Sequence, residues 1–126
     1  MSPSADQLIE KARRRLQRLN AEKASAEQNA GALLVDTRTI EQRVRDGDIP
    51  GALVIDRTVL EWRLDPTSDS RIPEAVDHNV RVIVICAEGY SSSLAAASLQ
   101  DLGLVNATDV IGGFEAWKAA GLPVTR

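Results

Sequence analysis

The chain has 126 residues, of which 44% are hydrophobic and 26% are charged, a composition typical of one soluble globular domain. Only four aromatic residues and a net charge of -3 argue against a nucleic-acid partner. No apolar run approaches the roughly 18–20 residues of a membrane span, and the polar, basic N-terminus lacks a signal-peptide core. We therefore expect a cytoplasmic protein without a membrane partner.

The chain has one cysteine, Cys86, and one histidine, His78. These counts exclude an internal disulfide, a multi-cysteine metal site and most schemes that combine serine, histidine and aspartate. We expect neither a metal nor a cofactor, so any chemistry must centre on Cys86, on carboxylates or on backbone groups. A cysteine protease is disfavoured, because nothing in the sequence places His78 beside Cys86 as its base.

Charge divides the chain near residue 30. Residues 1–30 carry six basic and four acidic side chains, whereas residues 31–126 carry nine basic and fourteen acidic ones. The net charges are therefore +2 and -5, which sum to the -3 of the whole chain. This break predicts a basic N-terminal appendage, residues 1–30, attached to an acidic domain, residues 31–126.

The appendage is predicted to be one amphipathic helix over residues 4–28. Ser4 and Gln7 form a capping-box pattern, and apolar residues then recur at helical spacing: Leu8, Ile9, Ala12, Leu16 and Leu19. This narrow apolar stripe either packs on the domain or mediates self-association. The basic run 13–15 either meets an acidic partner or a membrane surface, or is a solvated helix face.

From Gly31 onward, short apolar runs alternate with helical stretches. Four apolar runs predict strands at 32–36, 52–55, 80–86 and 109–111. The intervening patterns predict helices at about 39–46, 58–63, 91–102 and 113–119. This alternation predicts an α/β fold, in which a mostly parallel central sheet is flanked by helices on both faces.

Cys86 ends the most apolar predicted strand, at the edge of the sheet where open α/β folds bind ligands. Gly89 lets the following loop turn with its N–H groups inward, and one of the serines 91–93 caps the next helix. The positive end of that helix favours an anion, so the pKa of Cys86 is predicted to fall below the roughly 8.5 of a free cysteine. The alternative is a buried core cysteine without a reaction.

Three segments resemble the signatures of the rhodanese-like sulfurtransferase family, in the family's order, across about residues 32–124. CAEGYSS (86–92) resembles the active loop, Cys-x-x-Gly-x-(Arg/Ser)-(Ser/Thr). VDTR (35–38) with GDIPGALVI (47–55) resembles the N-terminal signature, and VIGGFEAWKAAGLPV (110–124) resembles the C-terminal one. The resemblance implies a rhodanese-like fold, to which the N-terminal helix is an addition. It also implies a sulfurtransferase that accepts a sulfane sulfur as a persulfide and passes it to a thiophilic acceptor.

Carried over by position, the resemblance makes Cys86 the catalytic nucleophile and sulfur carrier. The loop residues that follow it then form the anion cradle: Ala87, Glu88, Gly89, Tyr90, Ser91 and Ser92. The expected partners are a small-molecule or protein sulfur donor and a thiol acceptor.

Other motif positions are structural or depart from the family pattern. Asp36 and Arg38 fall on positions that are usually structural, and Asp48 stands where the family usually has histidine. We interpret Asp48 as tolerated variation in the scaffold, with an aspartate hydrogen bond into the turn. Ser91 stands where many members have arginine, and Glu88 adds a carboxylate that repels thiosulfate and other dianions.

Two arginines are candidates for the donor pocket. Arg57 and Arg63 follow the second predicted strand, whose carboxyl end faces the same crevice as Cys86. They are placed to hold an anionic donor. The alternative is that they form surface salt bridges with Glu61 and Asp65.

Two other functions compete with sulfur transfer. A non-catalytic rhodanese-like module that binds a partner or senses redox state would use Cys86 as a regulatory thiol. A cysteine-based phosphatase or arsenate reductase is disfavoured, because Ser92 stands at the sixth residue after Cys86, where such enzymes have arginine. No arginine or lysine occurs between Val82 and Trp117, so a tetrahedral dianion would lack its guanidinium partner in this stretch.

Overall fold

The computed structural model describes residues 2–125, and this part of the chain folds around one four-stranded parallel sheet. The strands, in the spatial order β2-β1-β3-β4, are β1 (Leu33–Asp36), β2 (Leu53–Val54), β3 (Val82–Ile85) and β4 (Thr108–Asp109). All neighbouring pairs are parallel. The predicted α/β fold is confirmed, and each strand lies within a few residues of its predicted position.

Helices cover both faces of the sheet, as predicted. Within the described residues they are α1 (Ala5–Arg14), α2 (Ala21–Asn29), α3 (Ile40–Asp46), α4 (Leu60–Leu64), α5 (Ser91–Asp101) and α6 (Gly113–Ala119). A short 3-10 helix, Arg57–Val59, leads into α4. Between residues 2 and 125, no helix is both long enough and apolar enough to cross a bilayer.

Alternation along β3 builds one apolar core on each face. Val82 and Val84 belong to the core under α4 and α5, whereas Ile83 and Ile85 belong to the core under α2 and α6. All four side chains are fully buried. Successive side chains of a strand point to opposite faces, so a strand covered on both faces needs apolar residues at every position.

The N-terminal segment is two helices, where the sequence predicted one helix over residues 4–28. Helix α1 begins with the predicted capping box: the Ser4 Oγ accepts from the Gln7 N–H at 3.1 Å, and the Gln7 Oε1 accepts from the Ser4 N–H at 2.9 Å. Helix α2 has its own N-cap, Asn20, whose Oδ1 accepts from the Lys23 N–H at 2.8 Å.

The helix breaks because residues 15–20, here called the edge segment, run along the outer edge of β4. The Leu19 N–H donates to the Asp109 carbonyl at 3.1 Å, and the Ile111 N–H donates to the Leu19 carbonyl at 2.8 Å. Helical backbone would keep the N–H and carbonyl of Leu19 for bonds within the helix. The segment instead covers a sheet edge whose polar groups would otherwise be open to another chain.

The edge segment places the two N-terminal helices on opposite faces of the sheet. Helix α1 packs on α5 with Ala12 buried, and α2 packs on α6 and β1 with Ala21 and Ala24 buried. Leu16, in the edge segment, is buried in the same core as the inner face of α5. Ala12 and Leu16 of the predicted apolar stripe therefore pack on the rest of the chain, whereas Leu8 keeps 54% of its surface exposed, and self-association through this helix stays a prediction. The domain boundary near residue 30 stays a prediction, although α1 and α2 pack against opposite faces of the sheet.

Candidate functional site

Cys86 lies one residue beyond β3, at the carboxyl end of the sheet, with 5% of its surface exposed. Its Sγ accepts hydrogen bonds from the main-chain N–H of Gly89 at 3.2 Å and of Ser92 at 3.4 Å. Ser92 lies in the first turn of α5, where N–H groups have no partner within the helix. The sulfur therefore occupies the position at which a helix N-terminus binds an anion.

These contacts lower the pKa of the Cys86 thiol below its ordinary value. Burial raises the pKa, but the hydroxyl groups of Ser92 and Ser91 and the N–H groups of Ser92 and Gly89 outweigh it, because each stabilises the thiolate. The Ser92 hydroxyl has one proton, and a 2.8 Å bond to Asp109 Oδ2 takes it. The N–H groups of Gly89 and Ser92 and the hydroxyl of Ser91 are therefore the donors that remain for the thiolate. The pKa of Cys86 is lowered, as the sequence predicted.

The predicted serine cap of α5 is wrong. The N-cap residue is Tyr90, which makes no side-chain capping bond. The serines begin one position later, inside the first turn, and the hydroxyl groups of Ser92 and Ser93 each donate to Asp109 Oδ2 at 2.8 Å. Both hydroxyl groups thus bind a buried carboxylate of β4, and the main-chain N–H of Ser92 donates to the Cys86 sulfur and not to a capping side chain.

Two glycines let the loop and the turn before α6 meet in backbone contact behind Cys86. Gly89 and Gly113 have φ of +87° and +58°, and a Cβ on Gly113 would lie 2.5 Å from the Cys86 carbonyl oxygen. A Cβ on Gly89 would lie 2.7 Å from the Gly112 nitrogen. The Phe114 N–H donates to the Cys86 carbonyl at 2.7 Å. The loop is therefore supported from behind, while its N–H groups face the sulfur.

Asp36 and Arg38 form a buried ion pair at the end of β1. Arg38 Nη2 donates to Asp36 Oδ2 at 2.8 Å and to the Gly47 carbonyl at 2.9 Å. Its guanidinium carbon lies 3.9 Å from the centre of the Phe114 ring. These bonds join β1, the turn after α3 and α6, which supports the predicted structural role.

Asp48 makes a different contact from the predicted one. Its main chain pairs with Thr125 through two hydrogen bonds of 2.7 Å, which supports the interpretation of a scaffold position. Its side chain was predicted to bond into the turn. It instead accepts from Arg43 Nη1 at 3.4 Å, because the arginine projects from the preceding helix, α3, and brings a charged donor within reach.

Arg57 and Arg63 are held by neighbours on their own side of the sheet. Arg57 Nη1 donates to both carboxylate oxygens of Glu61 at 3.0 Å, and Arg63 Nη1 donates to the Ser70 carbonyl at 2.8 Å. Glu61 is also fixed by the Ser98 hydroxyl at 2.5 Å. The geometry favours the ion-pair alternative for Arg57, and no contact within residues 2–125 brings either arginine to the loop after Cys86.

Sequence analysis missed three charged residues that contact this loop. Arg13 Nη2 donates to the Gly89 carbonyl at 2.7 Å, and Arg18 Nη2 donates to the same oxygen at 3.0 Å. The Arg13 guanidinium also lies 5.5 Å from the centre of the Tyr90 ring. The third residue, Asp109, is fully buried and paired with Arg18.

Two signals in the sequence point to these residues. Asn20 is a preferred N-cap residue, so it marks a helix start inside the supposed single helix. Asp109 is a charged residue in a predicted strand, and a buried carboxylate requires a partner. Neither signal identifies Arg18 as the partner of Asp109, because Arg18 lies 91 positions earlier in the chain.

The loop surface is polar and carries one carboxylate. Glu88 is exposed, and Tyr90 has 56% of its surface exposed. Ala87, the remaining cradle residue, accepts from the Glu115 N–H through its carbonyl at 3.1 Å. In the described part of the chain, no group of three or more His, Cys, Asp or Glu side chains is arranged to hold a metal ion.

Comparison with known proteins agrees with this geometry. The protein-family model for the rhodanese-like domain matches residues 20–120. The thiosulfate sulfurtransferase GlpE of Actinobacillus succinogenes is 36% identical over 97 residues, which are 77% of this chain and 78% of that protein.

Two solved structures are similar in fold. A Rhodopseudomonas palustris protein of unknown function, named as a possible tyrosine phosphatase, superposes with a TM-score of 0.88 at 31% identity, over 98% of this chain and 96% of that one. A thiosulfate sulfurtransferase from Pseudomonas aeruginosa superposes with a TM-score of 0.74 at 28% identity, over 94% of this chain and 22% of that one.

Proposed function

The chain belongs to the rhodanese-like domain family and is a sulfurtransferase, and we propose that it carries the transferred sulfur as a persulfide on Cys86. The observation that carries this proposal is the pair of N–H groups, from Gly89 and Ser92, that point at the Cys86 sulfur. They stabilise the thiolate before the reaction. The loop residues 87–92 form the cradle for the anionic persulfide after it.

In the first half-reaction, the Cys86 thiolate attacks the outer, sulfane sulfur of the donor. The new bond joins the two sulfurs, and the donor's own bond to its sulfane sulfur breaks. The donor remainder leaves with the electron pair of that bond, as a thiolate or, from thiosulfate, as sulfite. No external oxidant is needed, and no histidine base is needed because the thiol pKa is already lowered.

In the second half-reaction, an acceptor thiolate attacks the outer sulfur of the Cys86 persulfide. The bond between the two sulfurs on the enzyme breaks, and its electron pair returns to Cys86 as a thiolate. The acceptor leaves as a persulfide. The helix N-terminus that stabilised the nucleophile in the first step stabilises the leaving thiolate in this one.

We propose a donor of low charge, either a small-molecule persulfide or a protein persulfide. Glu88 is exposed in the loop, where its carboxylate repels a dianion such as thiosulfate. Arg57 and Arg63, the arginines expected to offset that repulsion, are engaged by Glu61 and the Ser70 carbonyl. The free thiol chemistry of Cys86 suits a reducing compartment, so the cytoplasm remains the proposed location.

The test is the intact mass of the protein after incubation with thiosulfate, glutathione persulfide or a protein persulfide. We expect one added sulfur, which dithiothreitol removes, and none on Cys86→Ser. Because a sulfinic acid adds nearly the same mass but resists dithiothreitol, the reductant step separates persulfide from oxidation. Oxidation of Cys86 without sulfur uptake from any donor would support the redox-sensing module instead.

A phosphatase is the second candidate, since one similar structure carries that name. Ser92 and Ser93 place hydroxyl groups, not a guanidinium, in the first turn of α5, and both donate to Asp109. A phosphate dianion therefore finds no bidentate partner in the loop. We expect no turnover of p-nitrophenyl phosphate by the protein that loads sulfur.

A further inference from the structure

We propose that Arg13 and Arg18 are positioning residues that hold the active loop (residues 86–92) in its sulfur-binding conformation. Arg13 also brings a positive charge to this loop, which contains no lysine or arginine of its own. The inference rests on the proposed function, because that function is what makes the loop a sulfur-binding site. Its first test measures the thiol of Cys86 alone and does not depend on sulfur transfer.

Gly89 links the Cys86 sulfur to both arginines. Its N–H donates to the Cys86 sulfur at 3.2 Å, and its carbonyl accepts from Arg13 at 2.7 Å and from Arg18 at 3.0 Å. A glycine at φ +87° has a wide choice of backbone conformations. Two charged donors on the carbonyl restrict that choice and keep the N–H directed at the sulfur.

A buried network of hydrogen bonds surrounds Asp109. Arg18 donates to both carboxylate oxygens of Asp109, and Ser92 and Ser93 donate their hydroxyl protons to Oδ2 of the same carboxylate. Ser92 is the residue whose N–H is the second donor to the sulfur. Both N–H groups that contact Cys86 are therefore tied to Arg18.

Arg13 closes the network. Its Nε donates to the Ser93 Oγ at 3.1 Å, and Ser93 in turn donates to Asp109. Asp109, Ser92 and Ser93 have almost no exposed surface, and 15% of the Arg18 side chain is exposed. Hydrogen bonds in such a low-dielectric site are strong and reinforce one another, so loss of one arginine is expected to loosen the whole loop.

Several charged groups lie on the elements around Cys86. The charged and titratable groups on the surrounding elements are Glu88 and Tyr90 of the loop, Asp109 of β4, the Asp36–Arg38 pair at β1, Glu115 of α6, and Arg13 and Arg18. Asp109 and Arg18 compensate each other, as do Asp36 and Arg38. Among the described residues, Arg13 forms no ion pair with a carboxylate, so its charge is left uncompensated beside the Gly89 carbonyl and the Tyr90 ring.

The first experiment measures the rate at which iodoacetamide, an uncharged reagent, alkylates Cys86 as a function of pH. We expect Arg13→Gln to raise the midpoint by about half a pH unit and to slow alkylation near neutral pH about threefold. Arg13→Lys should recover most of the shift, because the charge returns. Arg14→Gln is the matched control, since it lies in the same helix, is largely exposed and pairs with Glu10.

The second experiment removes the Arg18–Asp109 ion pair as a unit, so that no buried charge is left without a partner. Arg18→Gln alone leaves Asp109 unpaired and can prevent folding, so Arg18→Gln is combined with Asp109→Asn. We expect the double variant to unfold cooperatively and to load sulfur from glutathione persulfide at least several-fold more slowly than the unmodified protein. Double-variant loading at the original rate, or an Arg13→Gln midpoint equal to that of the unmodified protein, would overturn the proposal.

The two proposals fail in different ways. If the unmodified protein takes up no sulfur, the proposed function is wrong, and the alkylation midpoint of Arg13→Gln still decides whether the arginine acts on Cys86. If sulfur loads normally but Arg13→Gln and Arg14→Gln have the same midpoint, only the role of the arginines is wrong.

Discussion

Arg18 binds Asp109 through two hydrogen bonds, from Nε to Oδ1 at 2.8 Å and from Nη2 to Oδ2 at 3.2 Å. The pair joins the edge segment to β4 at the point where the serines of α5 also converge on Asp109. A part of the chain that the family signatures do not include, the segment before residue 20, therefore contacts the loop that holds Cys86.

The thiol of Cys86 is expected to titrate below a free cysteine. Burial, which would raise its pKa, is outweighed by the serine hydroxyl and main-chain donors, so the rate of alkylation by iodoacetamide should reach half its maximum below about pH 8.5. A midpoint at or above that pH would show that the N–H groups of Gly89 and Ser92 do not face the sulfur in solution.

The same shift predicts a pH dependence of stability. An acid whose pKa is depressed in the folded state stabilises the fold fully above its unfolded pKa, and this contribution is lost as the pH falls through its folded pKa. The free energy of unfolding of the unmodified protein, relative to Cys86→Ala, should therefore rise with pH between the lowered pKa of Cys86 and its unfolded value of about 8.5. Urea titrations of both proteins across this range measure it, and a flat difference would contradict the lowered pKa.

Glu88→Gln is expected to raise turnover with thiosulfate several-fold. The change removes a carboxylate from the path of a dianion, and the gain should shrink at high salt, where screening already hides the repulsion. Glu74→Gln is the matched control, because Glu74 is also exposed and lies in the long connection before β3. If thiosulfate kinetics at low ionic strength are the same in all three proteins, Glu88 points away from the donor.

Gly113→Ala is expected to destabilise the protein more than Gly121→Ala. Both glycines have positive φ, +58° and +72°, so each substitution carries a backbone cost of about 1–2 kcal/mol. A Cβ at Gly113 also collides with the Cys86 carbonyl, whereas one at Gly121 meets no atom within 4 Å. Thermal unfolding of the two variants measures the difference, expected to be about 1–3 kcal/mol. Equal midpoints would mean that the turn before α6 can move away from the loop at little cost.

Deletion of residues 1–29 tests the proposed boundary near residue 30, and it is combined with Asp109→Asn so that the loss of Arg18 leaves no unpaired buried charge. The shortened chain loses Ala21 and Ala24 from the core beneath α2 and exposes the β4 edge. We expect a lower unfolding midpoint with a single cooperative transition, as an acidic domain that folds by itself requires. Loss of cooperativity would show that α1 and α2 belong to the same folding unit as the sheet.

The sequence by itself determined the fold class and the position of the nucleophile, because both follow from local patterns. Four consecutive apolar residues, Val82–Ile85, can be buried on both sides only in a covered strand. Gly89 and the helix-forming residues after it then require a tight loop and a helix N-terminus at Cys86. Each of these inferences uses residues that are neighbours in the chain.

Only the tertiary structure decided which side chains surround that nucleophile. The N-terminal helix breaks because Leu19 pairs with the edge of β4, and edge pairing depends on strand order, which no local pattern encodes. The pairing brings Arg13 and Arg18 to Gly89, 76 and 71 positions away in the chain. Arg57, by contrast, finds Glu61 one helical turn away, so a nearby ion pair forms where the sequence had also allowed a site for an anion.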